Sequence, residues 1–80
     1  MVIVYSAVWC AFCHAAKEYF DKLGVEYTEK DVEKDDEAAK ESIEKSQQMG
    51  IPVIDIDGTI IVGFDKPKID QALKDNKILK

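Results

Sequence analysis

Cys10 and Cys13 stand two residues apart in the stretch 8–17, VWCAFCHAAK, with Trp9 before the first and His14 after the second. Three chemistries use that spelling: a redox dithiol, half of a zinc site and, with the histidine, a haem attachment site. The chain has no other cysteine. A structural disulfide framework is therefore excluded, and the two sulfurs pair with each other, with another molecule or with a metal.

A structural zinc site needs about four ligands. The chain offers two thiols and His14, with no second C-x-x-C, and a histidine adjoining Cys13 on a helix is badly placed to close a tetrahedron. Covalent haem attachment normally follows export. The N-terminal run MVIVYSAV has no basic n-region and no usual cleavage site, so it reads as a strand rather than a signal peptide. Met49 is an isolated candidate for a second haem ligand, and regular β-α-β alternation leaves no haem pocket. A cytosolic C-x-x-C beside a β-α-β pattern points instead to redox dithiol chemistry.

The elements that must position the sulfurs follow from the residue pattern. Residues 2–5, VIVY, form an apolar β-branched run suited to a strand covered on both faces. Cys13, Ala16, Phe20 and Leu23 fall on one helical face, and Gly24 is placed to stop that helix. VEYT (25–28) alternates and predicts a second strand running on toward Val32. The polar segment 33–48 predicts a helix capped by Asp35 or Asp36, with Ala39, Ile43 and Ser46 on its inner face. IPVIDI and TIIV predict two strands joined by a two-residue turn at Asp57 and Gly58. Gly63 ends the second, and Pro67 suits the first turn of a last helix with Ile69, Ala72 and Leu73 inward. The order is β-α-β-α-β-β-α. Helical crossovers allow the first three strands to be parallel, with the fourth antiparallel. The expected fold is an α/β layer structure with a mixed four-stranded sheet and helices on both faces.

This layout puts Cys10 at the N-terminus of the first helix. Free N–H groups of Phe12 and Cys13 can donate to its sulfur, and the positive end of the helix dipole favours thiolate over thiol. Lys17, one turn further in, adds electrostatic support. The Cys10 thiol is thereby pulled below its ordinary pKa and attacks. Cys13 faces the interior and resolves the mixed disulfide.

The chain of 80 residues is read as one domain, 1–80. Its hydrophobic share of 46% and charged share of 34% suit a folded, soluble protein. No segment is apolar for long enough to span a bilayer. The net charge of −5 argues against nucleic acid and anionic membranes as main partners. No Asp or Glu precedes Glu18, so the cysteine neighbourhood is locally neutral to basic.

Three stretches together carry a resemblance: YSAVWCAFCHAAK near the start, GIPVIDIDG in the middle and IVGFDKPKI before the last helix. The chain resembles the glutaredoxin-like proteins of the thioredoxin superfamily. That resemblance implies a thioredoxin-like fold, in which Ile51 and Pro52 form a cis-proline loop facing the cysteines. Ile51 would offer its backbone to an incoming chain. Gly63, Phe64 and Asp65 resemble the loop that holds glutathione's γ-glutamyl end. Trp9 and Phe12 either shield the sulfurs and form a docking surface or pack on neighbouring loops. His14 reads as an incidental helix residue, and Tyr5 and Tyr27 as core or rim residues.

Several positions depart from the glutathione-using pattern. Ala11 and Phe12 replace Pro-Tyr between the cysteines, and Ala7 stands where a lysine often reaches the glutathione carboxylate. GFDKPKI and CHAAK also resemble the redoxins that serve ribonucleotide reductase and are reduced by thioredoxin reductase. The function implied is a cytoplasmic, monomeric thiol–disulfide oxidoreductase in electron transport and cell redox homeostasis. It would reduce protein disulfides or glutathione mixed disulfides, with no tightly bound cofactor and no metal. Glutathione, as cosubstrate, or thioredoxin reductase supplies electrons. The alternative is a [2Fe–2S] module bridging two protomers through Cys10 and glutathione.

Overall fold

The computed structural model describes residues 2–48 and 50–76, so Met49 lies outside the described residues. The elements are β1 (Val2–Ser6), α1 (Ala11–Leu23), β2 (Thr28–Asp31), α2 (Asp36–Ser46), β3 (Val53–Ile56), β4 (Thr59–Val62) and α3 (Lys66–Asp75). They form one mixed sheet of order β2-β1-β3-β4.

Side chains alternate along each strand, and the alternation builds two cores. Val2, Val4, Ile54, Ile56 and Ile61 point to one face, where Ala16 and Phe20 of α1 and Ile69, Ala72 and Leu73 of α3 cover them. Tyr5 and Val53 point to the other, where Ala38 of α2 covers them. Helices therefore lie on both faces, and β1 is apolar up to Ser6 because both of its faces are covered.

The pairing differs from expectation at β3. Strands β1 and β2 are parallel, but β3 runs antiparallel to β1, with Val53 opposite Tyr5 and Ile56 opposite Val2. The chain leaves α2 through residues 47–52 and enters β3 at the end of the sheet where β1 leaves it. A parallel β3 would begin at the opposite end, and Pro52 would lie a strand length from the cysteines. Antiparallel pairing instead sets Val53 opposite Tyr5, so Pro52 lies beside the end of β1.

Two further boundaries differ. Strand β2 starts at Thr28 rather than Val25, because Val25 is buried in the turn after α1 and donates its N–H to the Phe20 carbonyl at 2.9 Å. The strand ends at Asp31, whose Oδ1 accepts from Glu33 N at 2.8 Å and Lys34 N at 3.2 Å and so turns the chain. On α2 the buried side chains are Ala38 and Ser42, one position before the expected Ala39 and Ile43, and Ile43 is exposed. Asp35, not Asp36, caps that helix. Asp57 and Gly58 both take positive φ, 51° and 99°, as a two-residue hairpin turn requires. No described helix is long and apolar enough to cross a membrane.

Candidate active site at the start of helix α1

Strand β1 ends at Ser6, and the loop 7–9 lifts the chain off the sheet. Cys10 is the N-cap of α1, with extended backbone at φ −87°, ψ 107°. Its N–H donates to the Ala7 carbonyl at 3.1 Å and its carbonyl accepts from His14 N at 3.2 Å. Its side chain takes the place a serine or aspartate oxygen usually fills: Sγ accepts the Cys13 N–H at 3.1 Å. Of the two expected donors, Cys13 alone makes this bond. Cys10 and Cys13 are joined in a disulfide, with Cα atoms 5.2 Å apart.

The two sulfurs are unequally covered. Cys13 is fully buried, while Cys10 retains 5% exposure. Cys10 is therefore less open than expected, but it is the member of the pair that solvent reaches. Trp9 and Phe12 flank it at 67% exposure each, so packing on neighbouring loops is not their role. Val8, exposed beside them, is held from below by His14, whose Nε2–H donates to the Val8 carbonyl at 2.9 Å. His14 is thus a strut of the loop rather than an incidental residue.

The charge near the sulfurs also differs from the sequence-based picture. Lys17 is ion-paired with Glu29 of β2, and the same carboxylate accepts from the buried Ser6 hydroxyl at 2.9 Å. The Lys17 hydrogen bond, with help from Ser6, holds the Glu29 carboxyl below its ordinary range against the opposing effect of burial. The support expected from Lys17 is therefore shared with a carboxylate twelve residues away in sequence, which parallel pairing of β1 and β2 brings alongside.

Just before β3, beside the end of β1, the Ile51–Pro52 bond is cis. The Pro52 carbonyl accepts the Gly63 N–H at 2.8 Å, tying the proline loop to the end of β4. An open groove of about 610 Å³ runs from Phe12 past Ile51 and Pro52 to Gly63, Phe64 and Asp65. Six of the seven expected binding residues meet there; Trp9 stands apart as an exposed neighbour of Cys10. Val62, Lys66 and Pro67 also line the groove; no local sequence signal marks them, because only the packing of β4 and the start of α3 brings them there. Ala7 is buried at 1% exposure.

Asp65 has a structural task. It caps α3, accepting the Lys68 N–H at 3.3 Å, and its other oxygen lies 3.9 Å from the Lys68 ammonium. Among the described residues, no three His, Cys, Asp or Glu side chains are grouped so as to hold a metal ion.

The fold that carries these residues is shared with solved thioredoxin-like structures. The thioredoxin-like protein BC3987 superposes with a TM-score of 0.85 at 32% identity, covering 91% of this chain and 100% of that one. A buckwheat glutaredoxin–glutathione complex superposes at 0.77 with 22% identity, over 99% of this chain and 81% of that one. The NrdH-redoxin from Escherichia coli does so at 0.77 with 23% identity, over 88% and 91%. The chain belongs to the glutaredoxin family, whose model matches residues 2–61. It is 38% identical over 74 residues to an uncharacterized glutaredoxin-like 8.6 kDa protein in the rubredoxin operon of Clostridium pasteurianum, covering 92% of this chain and 99% of that protein.

Proposed function

We propose that this protein is a thiol–disulfide oxidoreductase that reduces protein disulfides or glutathione mixed disulfides through Cys10 and Cys13. The observation that carries the reading is the disulfide itself, closed at the start of α1 with the Cys13 N–H on the Cys10 sulfur. A donor aimed at that sulfur, at the positive end of a helix, stabilises negative charge there.

In the reduced protein the Cys10 thiolate attacks a substrate disulfide. A Cys10–substrate S–S bond forms, the substrate S–S bond breaks, and the expelled sulfur leaves as a thiolate that takes a proton. Cys13 then loses its proton and attacks the Cys10 sulfur. This closes the Cys10–Cys13 bond and releases the second substrate thiolate. Two electrons pass to the substrate, and an external reductant must return two.

Two donors are in view, as the glutathione complex of the buckwheat protein and the thioredoxin-like activity profile of the Escherichia coli redoxin illustrate for those proteins. Ala7 provides no cation for glutathione, and Asp65 is engaged at the helix cap. We infer a cytoplasmic monomer, without a bound cofactor, that takes electrons better from a thioredoxin reductase than from glutathione.

The test uses NADPH with a disulfide substrate and either thioredoxin reductase or glutathione plus its reductase. Faster NADPH consumption with thioredoxin reductase is expected, and efficient turnover with glutathione alone would contradict the donor assignment. Cys10→Ser should abolish activity in both systems. Cys13→Ser should accumulate a protein–substrate mixed disulfide seen by mass spectrometry. Retained turnover in Cys10→Ser would remove the mechanism.

A further inference from the structure

The groove that begins at Phe12 does not stop at Asp65. Phe64 and Lys66 line it and also line a second open groove of about 580 Å³ over the outer face of α1, where Tyr19 and Lys22 face Glu18. A single small ligand occupies roughly 300–1,000 Å³. Either groove alone reaches that range, so the two in line suit an extended chain.

Their shared wall carries a fixed cation. Phe64 and Tyr19 meet edge to face, with centroids 5.9 Å apart. The Lys66 ammonium lies 5.3 Å from the Tyr19 ring centroid and 5.8 Å from that of Phe64, within cation–π reach of both. The Tyr19 hydroxyl donates to Asp70 of α3, which fixes the ring.

The charges there are unbalanced. Lys17, Lys30, Lys45 and Lys68 each face a carboxylate. Among the described residues, Lys22, Lys34, Lys40, Lys66 and Lys74 make no ion pair, and of these Lys22 and Lys66 line the grooves. The nearby carboxylates are Glu18, Asp65 and Asp70; Asp65 is held by Lys68 and Asp70 accepts from the Tyr19 hydroxyl. The backbone at the start of α3 adds little for an anion, since the Lys68 N–H is taken by Asp65 and Pro67 has none.

We propose that these grooves receive an acidic segment of a protein partner. The partner's cysteine meets Cys10 while a carboxylate a few residues away in its sequence settles on Lys66, with Lys22 beyond. This rests on the thiol–disulfide reading and narrows its substrate class to disulfides flanked by Asp or Glu.

The test mixes the pre-reduced protein with disulfide-linked homodimers of short peptides. Each peptide has one cysteine flanked on one side by Glu-Glu, Gln-Gln or Lys-Lys, and a second set carries the pair on the other side. The expected second-order rates fall in the order Glu, Gln, Lys for one of the two sets. The acidic peptide should lead the neutral one by about three- to fivefold, as an exposed ion pair allows, and the gap should shrink at high salt. Lys66→Gln should erase the preference and Lys66→Arg keep it.

Equal rates for Glu-Glu and Lys-Lys peptides in both sets would overturn the proposal, as would Lys66→Gln slowing all peptides alike. Glutathione disulfide depending on Lys66 more than the Glu-Glu peptide does would assign this cation to the tripeptide instead. Failure to reduce any peptide, or hydroxyethyl disulfide, would overturn the thiol–disulfide reading itself, which separates the two failures.

Discussion

Trp9 and Phe12 are large apolar side chains left two-thirds exposed on either side of a nearly buried sulfur. A surface position with no packing partner contributes little to folding, typically within about 0.5 kcal/mol. Trp9→Ala and Phe12→Ala should therefore leave the melting temperature almost unchanged. Contact with a protein substrate should suffer, raising KM several-fold for a protein disulfide and little for hydroxyethyl disulfide. Equal losses on both substrates, or a clear drop in melting temperature, would place these residues in the fold rather than at the docking surface. At this scale the sequence was legible wherever chemistry is local. The C-x-x-C spacing, the capping position of Cys10 and the burial of Cys13 all follow from one strand, one loop and one helix face. Glu29 was not legible as a neighbour of Lys17, nor Lys66 as a wall of the groove, because only tertiary pairing brings them to the site.

Helix α2 has few apolar side chains, and two polar devices hold it. Asp35 caps it, accepting from Glu37 N at 3.0 Å and Ala38 N at 3.3 Å. Asp35→Ala should cost about 1 kcal/mol in chemical unfolding. The fully buried Tyr5 lies under the same helix, donating to Glu41 at 3.0 Å and accepting from the Lys45 ammonium at 2.7 Å, which also pairs with Asp55 at 2.6 Å. Tyr5→Phe keeps the ring and deletes the hydroxyl. It should cost about 0.5–1.5 kcal/mol and leave disulfide reduction intact, since no groove residue is touched. A loss of activity without a loss of stability would show that this network reaches the site. The inner face of α2 was misassigned by one position for a related reason. Its helix has one isoleucine, and the natural assumption that Ile43 is inward failed. Small Ala38 and Ser42 lie close against the sheet instead, while Tyr5 rises from the strand to fill the space. The antiparallel course of β3 was hidden because a helical crossover is compatible with either direction, whereas the turn at Asp57 and Gly58 could be read directly from its residue types.

Over the whole molecule, ion pairs tie α1 and α2 to strands β2 and β3, and their pH dependence can be signed. The Lys17 hydrogen bond depresses the Glu29 carboxyl, so this group contributes stability above the ordinary carboxylate range, lost as pH falls through its lower folded value. Burial alone would lower Lys45, but hydrogen bonds to Asp55 and Tyr5 outweigh it and raise the group, which contributes stability below the ordinary lysine range, lost as pH rises through its higher folded value. Stability should therefore hold a broad plateau through neutral pH. Glu29→Gln should flatten part of the acid limb of a melting-temperature profile, and an unchanged limb would show that other carboxylates carry it. The central claim remains the inequality of the two cysteines. Its most direct measurement is the alkylation rate of each thiol in the reduced protein at mildly acidic pH, resolved by mass spectrometry of the separated peptides. Cys10 should be modified well before Cys13, because its sulfur is the one that receives the helix N–H and the one that solvent reaches. Equal rates, or Cys13 reacting first, would contradict the account.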